Sequence, residues 1–340
     1  MRPPVVRAVV VNWNGAHLLD ECLKSLQDQD LAPGALEIVV VDNASSDGSV
    51  ALLDERYPDV RVVRNAQNLG FAGGVDAGLD DLTAPYVALL NNDATLAPDA
   101  LRVMVEVLDA PENKDVAAVT AHIVLTEHDA LGRTLINSTG NVLSRAGSAG
   151  DRDWLSVDGA VEPTSEVFGF CGGAAVLRTS ALADTGTFDA RLFLYYEDTD
   201  LSWRFRARGW RVLYERRAVA RHQHSASSDS TSPLFRYYNT RNSLVVFARH
   251  APWGVVVTSF VRQLAGAARH TLLRREAPGV VKAQWRALRD FLGFLPKVLA
   301  DRRKAWHGSR VSRRSVFALG VADAPHPEYL GRSEPTTGAR

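Results

Sequence analysis

An α/β fold built on a mostly parallel sheet, with helices on both faces, follows from three observations in the first 120 of the 340 residues. Apolar runs of strand length alternate with stretches whose apolar residues recur at helical spacing. The runs are continuously apolar, as in strands buried on both faces. Polar clusters follow them at their carboxyl ends, where sheets of this kind bind ligands.

Residues 5–11 form the first strand, followed by Asn12-Trp13-Asn14-Gly15 and a helix with Leu18, Leu19, Cys22, Leu23 and Leu26 on one face. Residues 37–41 form the second strand, 42–48 a polar turn, 49–56 a short helix and 60–63 a third strand. A helix over 72–82, a strand over 86–90, a helix over 98–108 and a strand over 116–119 continue the alternation. From 120 to 167 periodicity is poor and small polar residues are frequent, which predicts a lid or binding loop. Residues 168–177 restore a strand-like apolar element. Glu197, Asp198 and Asp200 then crowd the start of a helix patterned on Leu201, Phe205 and Arg208. Asp200 stands one turn before Arg204, the spacing of a surface ion pair worth about 0.3–0.5 kcal/mol.

Composition sets bounds on function. With 46% hydrophobic residues the chain supports a large core. Cys22 and Cys171 lack metal-site spacing and read as plain buried thiols in a reducing compartment. No signal-peptide layout or membrane-spanning run is present, so the expected location is cytoplasmic. Zero net charge conceals an asymmetry: residues 1–261 hold 33 acidic against 23 basic residues, and 262–314 hold 3 against 14. A basic segment of this kind seeks an anionic surface. No zinc-finger or RNP-type motif points to nucleic acid. Trp253, Phe260, Trp285, Phe291 and Leu295 recur at helical spacing among Arg and Lys, so residues 253–314 suit an anionic membrane; the alternative is helices packed on the body with a solvated basic face.

The first strand-to-helix turn lacks G-x-G-x-x-G, which argues against a dinucleotide cofactor. The blocks Val10-Val11-Asn12-Trp13-Asn14-Gly15, Val40-Val41-Asp42-Asn43-Ala44-Ser45-Ser46-Asp47-Gly48-Ser49, Asn68-Leu69-Gly70-Phe71-Ala72-Gly73-Gly74 and Leu90-Asn91-Asn92-Asp93 resemble, in order, those of family 2 inverting glycosyltransferases of the GT-A fold. Phe170-Cys171-Gly172-Gly173-Ala174 and Tyr196-Glu197-Asp198 continue the match, which covers roughly residues 5–250 and is nearest to the bacterial rhamnosyltransferases.

The resemblance implies a nucleotide-sugar donor bound by Asn12, Asp42, Asp47, Asn68, Gly70, Gly73 and Asn92, with Arg241 clamping the diphosphate. For Asp42 the alternative is an Asx-turn, for Asp47 a helix cap, for the 68–74 loop a plain helix entry, and for Arg241 a structural ion pair. Asp93 matches the last position of the family's metal motif, but Asn91 stands where many relatives carry a carboxylate. His222 is the expected second ligand of a divalent metal, Mn2+ or Mg2+, with His224 a lesser candidate. Asp198 matches the general base; Gly172, Gly173 and Glu197 are assigned to the acceptor.

The implied organisation is a GT-A domain over 1–250, with a nucleotide-sugar half (1–120) and an acceptor half (121–250). An amphipathic helical extension over 251–321 and a disordered tail over 322–340 follow. The implied reaction is inverting transfer, most readily of rhamnose from dTDP-L-rhamnose, onto a lipid-linked or cell-envelope glycan, by an enzyme peripheral on the inner face of the cell membrane. A UDP-hexose donor and a catalytically silent nucleotide-binding scaffold are the alternatives.

Overall fold

The computed structural model describes residues 4–159, 165–223, 232–274 and 276–322. His224 and residues 323–340, two subjects of the sequence reading, lie outside them. The first half runs β1 (Val6–Asn12), α1 (Ala16–Gln27), β2 (Leu36–Asp42), α2 (Ser49–Arg56), β3 (Arg61–Arg64), α3 (Gly70–Gly78), β4 (Tyr86–Leu90), β5 (Ala94–Leu96) and α4 (Ala100–Asp109). The second half continues with β6 (Val116–His128), β7 (Thr134–Ser138), β8 (Asn141–Leu143), β9 (Ala149–Asp151), β10 (Ala174–Arg178), α5 (Thr179–Thr185), α6 (Glu197–Arg208) and β11 (Arg211–His222). Four helices close it: α7 (Pro233–His250), α8 (Trp253–Leu273), α9 (Pro278–Trp306) and α10 (Arg313–Ala322).

Among the described residues one sheet has the order β3-β2-β1-β4-β10-β6-β11-β5, with β7 added on β6. The parallel arrangement holds across β3-β2-β1-β4. Beyond β4 the sheet is mixed, because β10 runs antiparallel to both β4 and β6 while β11 runs parallel to β6. Side chains alternate between two cores, as a period of two requires. Val10 and Val40 pack on one face with Leu23, Leu53 and Met104, and Val9 and Val41 on the other with Val75, Leu201 and Phe205. Helices therefore cover both faces, as the alternation predicts.

Chain order places β2 and β4 on opposite sides of β1, leaving a crevice at its carboxyl end where Asn12 pairs with Asp42. Since β10 runs antiparallel to β4, Ala174 faces Leu90 and the Gly172-Gly173 entry to β10 reaches the same edge.

The structure corrects one segmental expectation. The predicted lid over 120–167 holds the rest of β6 and the strands β7, β8 and β9. These strands are paired into sheets, so strand length at 120–128 outweighed poor periodicity. Helices α8 to α10, in the expected extension, follow the alternative of packing on the body: Val256, Ala267, Leu288, Phe291, Val298 and Val316 share a core with Phe168, Tyr196, Trp203 and Phe247. No helix among the described residues is long and apolar enough to cross a membrane.

Candidate active site

The crevice beyond β1 is organised by amides. Asn92 Nδ2 donates to Asn12 Oδ1 at 3.0 Å, and Asn12 Nδ2 donates to Asp42 Oδ1 at 3.2 Å. Gly15 lies against this pair, and a Cβ there would collide with Asn92 Nδ2 and with Asn12 Oδ1. Asp42 Oδ2 also accepts from Ser45 N at 2.9 Å, the Asx-turn weighed as its alternative. Asp47 accepts from Ala16 N at 2.8 Å and from Ser49 N at 3.1 Å, tying together the starts of α1 and α2. Desolvation would raise the Asp47 carboxyl, but hydrogen bonds from Ser49 and Ala16 outweigh it and lower the pKa. Asp47 thus has the helix-capping contacts weighed as its alternative.

The loop before α3 meets the turn before α6. Asn68 Oδ1 accepts from Gly70 N at 2.8 Å, and Gly70, at φ +70°, leaves no room for a Cβ beneath the Phe193 carbonyl. A Cβ on Gly73 would collide instead with Leu69 Cβ, at 2.8 Å. Gly70 therefore permits the close approach, and its partner on the protein side is the 190–193 turn.

That turn is strained. Phe193, Tyr195 and Tyr196 have φ of 66°, 69° and 72°, a region that suits glycine. Asn242 in α7 holds it by donating through Nδ2 to the carbonyls of Leu192, Leu194 and Tyr195, each at 2.8 Å. Arg241 Nη2 donates to the carbonyls of Arg191 and Leu192 at 2.9 and 3.0 Å, and its guanidinium lies over Tyr238, 4.9 Å from the ring centroid. Arg241 is buried in these contacts. This corrects its assignment to a diphosphate: the guanidinium fork grips backbone carbonyls, and its protein contact is neither an ion pair nor a ligand clamp.

From the turn the chain enters α6 with Glu197 and Asp198. Asp198 is half-buried; Oδ2 accepts from Gly172 N at 3.1 Å and Oδ1 from Thr199 N at 2.6 Å. Burial raises its pKa against these bonds. Gly172 thus orients the carboxylate, and Gly173 continues the link, its carbonyl accepting from Asn91 N at 3.0 Å. Glu197 Oε2 is buried without a hydrogen-bond partner among the described residues. Burial and the neighbouring Asp198 push the Glu197 carboxyl well above the usual carboxylate range, which favours its neutral form.

Two contacts away is Asp93, whose Oδ1 lies 3.0 Å from His222 Nε2. The Nδ1 side of the ring meets Asn137 Oδ1, so the imidazole donates there and turns Nε2 to the carboxylate. An imidazole nitrogen and an anionic oxygen converging at this separation fit two neighbouring ligands of one divalent cation. No group of three or more His, Cys, Asp or Glu side chains placed for a metal stands among the described residues, so such an ion would need oxygens from a ligand.

Sequence reading missed three participants. Asp151, at the end of β9, feels both Asp198 and His222, and burial raises its pKa to about 6. Asn141 Oδ1 accepts from Thr199 Oγ1 at 3.0 Å beside Asp198. Asn242, next to Arg241 in the sequence, carried no expected task and holds the turn before α6 through three carbonyls. The predicted surface pair of Asp200 is also corrected: Asp200 is fully buried, meeting Arg204 Nε at 2.9 Å, Arg249 Nη1 at 2.6 Å and His250 Nε2 at 2.9 Å. Burial would raise its carboxyl, but Arg249, Arg204 and the His250 hydrogen bond hold it well below the usual carboxylate range.

Comparison with known proteins identifies the family and agrees with the fold. A family model described as Glycosyl transferase family 2 matches residues 8–186. An N-acetylglucosaminyl-diphospho-decaprenol L-rhamnosyltransferase of Mycobacterium tuberculosis is 27% identical over 274 residues, 73% of this chain and 86% of the relative. Among solved structures, the mannosyltransferase PcManGT of Pyrobaculum calidifontis, in complex with GDP-Man and Mn2+, aligns with TM-score 0.50 and 20% identity. That alignment covers 97% of this chain and 83% of the other. S. aureus TarS 1-349 aligns with TM-score 0.53 and 15% identity, covering 97% of this chain and 92% of the other.

Proposed function

The chain belongs to glycosyl transferase family 2 and is a glycosyltransferase, and on that premise we propose an inverting rhamnosyltransferase that uses dTDP-L-rhamnose. Its acceptor is a hydroxyl of a lipid-linked cell-envelope glycan, a reading supported by the printed name of the mycobacterial relative. The observation that carries the mechanism is Asp198, accessible and aimed by Gly172 N at 3.1 Å, on the edge that also holds Asp93 and His222.

In this reading Asp198 takes the proton of the acceptor hydroxyl as that oxygen attacks the anomeric carbon from the face opposite the nucleoside diphosphate. The bond to the diphosphate breaks as the new bond forms, and the configuration inverts. Burial suits Asp198 to the task by raising its affinity for a proton. Asp93 and His222 would hold a divalent ion, Mn2+ or Mg2+, which when bound would supply positive charge beside the leaving diphosphate. Asn12, Asp42 and Asn92 contact the donor, with Asn68, Gly70 and Gly73 shaping the side of its pocket. Glu197, buried beside Asp198, lines the acceptor side of the site.

The outer face of the last helices supports a peripheral position on the cytoplasmic face of the membrane. On α8 the exposed residues Trp253, Val257, Val261 and Leu264 recur at helical spacing, and on α9 Trp285, Leu292 and Leu299 recur every seven residues. Exposed Lys282, Arg289 and Arg303 accompany the second stripe. Apolar burial with attraction to anionic headgroups follows from that pairing.

A thermal-shift screen of nucleotide sugars with Mn2+ tests the donor, since a ligand of the native state raises its melting temperature. The largest shift is expected with dTDP-L-rhamnose. A larger one with a UDP-hexose overturns the donor assignment, and no shift with any nucleotide sugar favours the silent scaffold.

A further inference from the structure

A cavity of about 610 Å³ lies between the start of α8, the end of α9 and the start of α10, away from the crevice described above. Two tryptophans and three arginines dominate its wall: Trp253, Trp306, Arg302, Arg313 and Arg314. Arg302 lies over the Trp253 ring at 4.2 Å and Arg313 over the Trp306 ring at 4.7 Å. Among the described residues no Asp or Glu lines it. None of the three guanidinium groups meets a carboxylate among the described residues.

This is an unusual balance for buried charge. Arg302 is 7% exposed, and its Nη1 is satisfied only by the carbonyls of Ala248 and Ala251, each at 2.8 Å. Arg313 Nη2 donates to the Arg302 carbonyl at 3.0 Å, and its Nε is buried without a partner. Burial and the nearby Arg313 push Arg302 down to about 10, which still leaves it charged at neutral pH. The α10 N-terminus, where Ser315 N donates to Ser312 Oγ at 3.0 Å, adds a positive helix end to the same wall. Buried Arg249, by contrast, meets Asp189 and Asp200, and buried Arg206 meets Glu166. Here a counter-charge has to come from outside the described protein.

We propose that this cavity binds the phosphate of an anionic phospholipid, with guanidinium groups on the phosphate oxygens and the tryptophans beside the glycerol backbone. Arginine forks match phosphate oxygens, and the volume suits a small ligand. Lipid is the source because Trp253 is both a wall of the cavity and the first residue of the exposed stripe Val257, Val261, Leu264, so acyl chains leaving the cavity meet an apolar track. This source rests on the membrane-facing reading of α8 and α9 given above.

Calorimetry of the full chain with dihexanoyl-phosphatidylglycerol below its micelle concentration should give saturable one-to-one binding. Arg313→Gln/Arg314→Gln should weaken it by about tenfold or more, the scale of one lost charge-assisted hydrogen bond. Lys24→Gln/Lys114→Gln, an equal charge change at exposed lysines of the first half, should leave it unchanged, and dTDP affinity should be the same in all three proteins. Equal losses in both double variants, or no saturable binding, overturn the proposal. Glycerol phosphate binding as tightly as the short-chain lipid overturns lipid as the source. Failure of the membrane reading is seen separately, as absent adsorption to phosphatidylglycerol vesicles while the short-chain lipid still saturates the cavity.

Discussion

His250 Nε2 lies 2.9 Å from Asp200 Oδ1, joining the last residue of α7 to the first turn of α6 two positions from Asp198. Trp306 Nε1 donates to His250 Nδ1 at 3.2 Å, so the ring is neutral and donates through Nε2 to the carboxylate. The end of α9 thereby reaches the helix that carries the proposed base. Removing α9 would leave Asp200 with a loosened partner and expose the core around Trp203.

Burial lowers the His250 pKa to about 4, which makes stability pH-dependent. Between pH 4 and 6.5 the unfolded chain binds a proton at this histidine that the folded chain does not. The contribution is therefore complete above pH 6.5 and lost as pH falls toward 4, amounting to up to about 3 kcal/mol. Denaturant titrations across that window should show His250→Gln with a flatter profile than the parent; parallel profiles would remove His250 from the account.

Asp198→Asn should lower transfer by at least about 10²-fold, the scale of a lost general base, while dTDP-sugar affinity stays near normal. Asp200→Asn would lower both folding stability and activity, which separates a structural carboxylate from a chemical one. Near-normal turnover of Asp198→Asn would exclude it as the base.

Asp151 and Asp198 hinder each other's ionisation, and the Asp151 pKa is raised to about 6. A base must be ionised, so kcat/KM should fall on the acid side as Asp198, whose proton affinity burial raises, takes up a proton. In Asp151→Asn, loss of a neighbouring negative charge should move the acid limb of Asp198 to lower pH. A pH-rate profile from 5 to 8 that is identical in both proteins would place Asp151 outside the reaction.

Asn242→Ala releases three carbonyls of the turn that contains Phe193, Tyr195 and Tyr196. Relaxation of that turn should lower kcat by about tenfold or more with little change in donor KM, because α6 would no longer be held in place. A change confined to donor KM would point instead to a direct ligand contact.

Metal dependence can be read without turnover. Calorimetric dTDP affinity should be higher in Mn2+ than in EDTA, and Asp93→Ala should remove most of the difference. His222→Ala should remove less, since Asp93 supplies the anionic oxygen. Equal affinity in EDTA and Mn2+ for the parent chain would count against a metal at Asp93.

The first half of the fold was legible because its signals are local. Val9, Val10, Val39 and Val40 read as buried strands from their own neighbours, and Asn12, Asp42 and Asn92 follow strand ends in the sequence as they do in space. The pairing of β10 between β4 and β6 was not legible, because a strand of five residues carries no record of which neighbours it will join. Asp151 was hidden in a stretch of weak periodicity whose strands are short and partly exposed.

Residue order alone therefore determined the alternation of strands and helices, the polar edge and the carboxylates at Glu197 and Asp198, since these depend on chain neighbours within a turn or two. Tertiary structure decided what each polar group faces. Asp200 looked like half of a surface pair with Arg204, and it became a buried centre because Arg249 and His250 arrive from about 50 residues away. Arg241 looked suited to a diphosphate, and it closed on the carbonyls of Arg191 and Leu192 because α7 packs beneath that turn. A side chain's charge is written in the sequence, but its partners and its dielectric surroundings are set by contacts between distant segments.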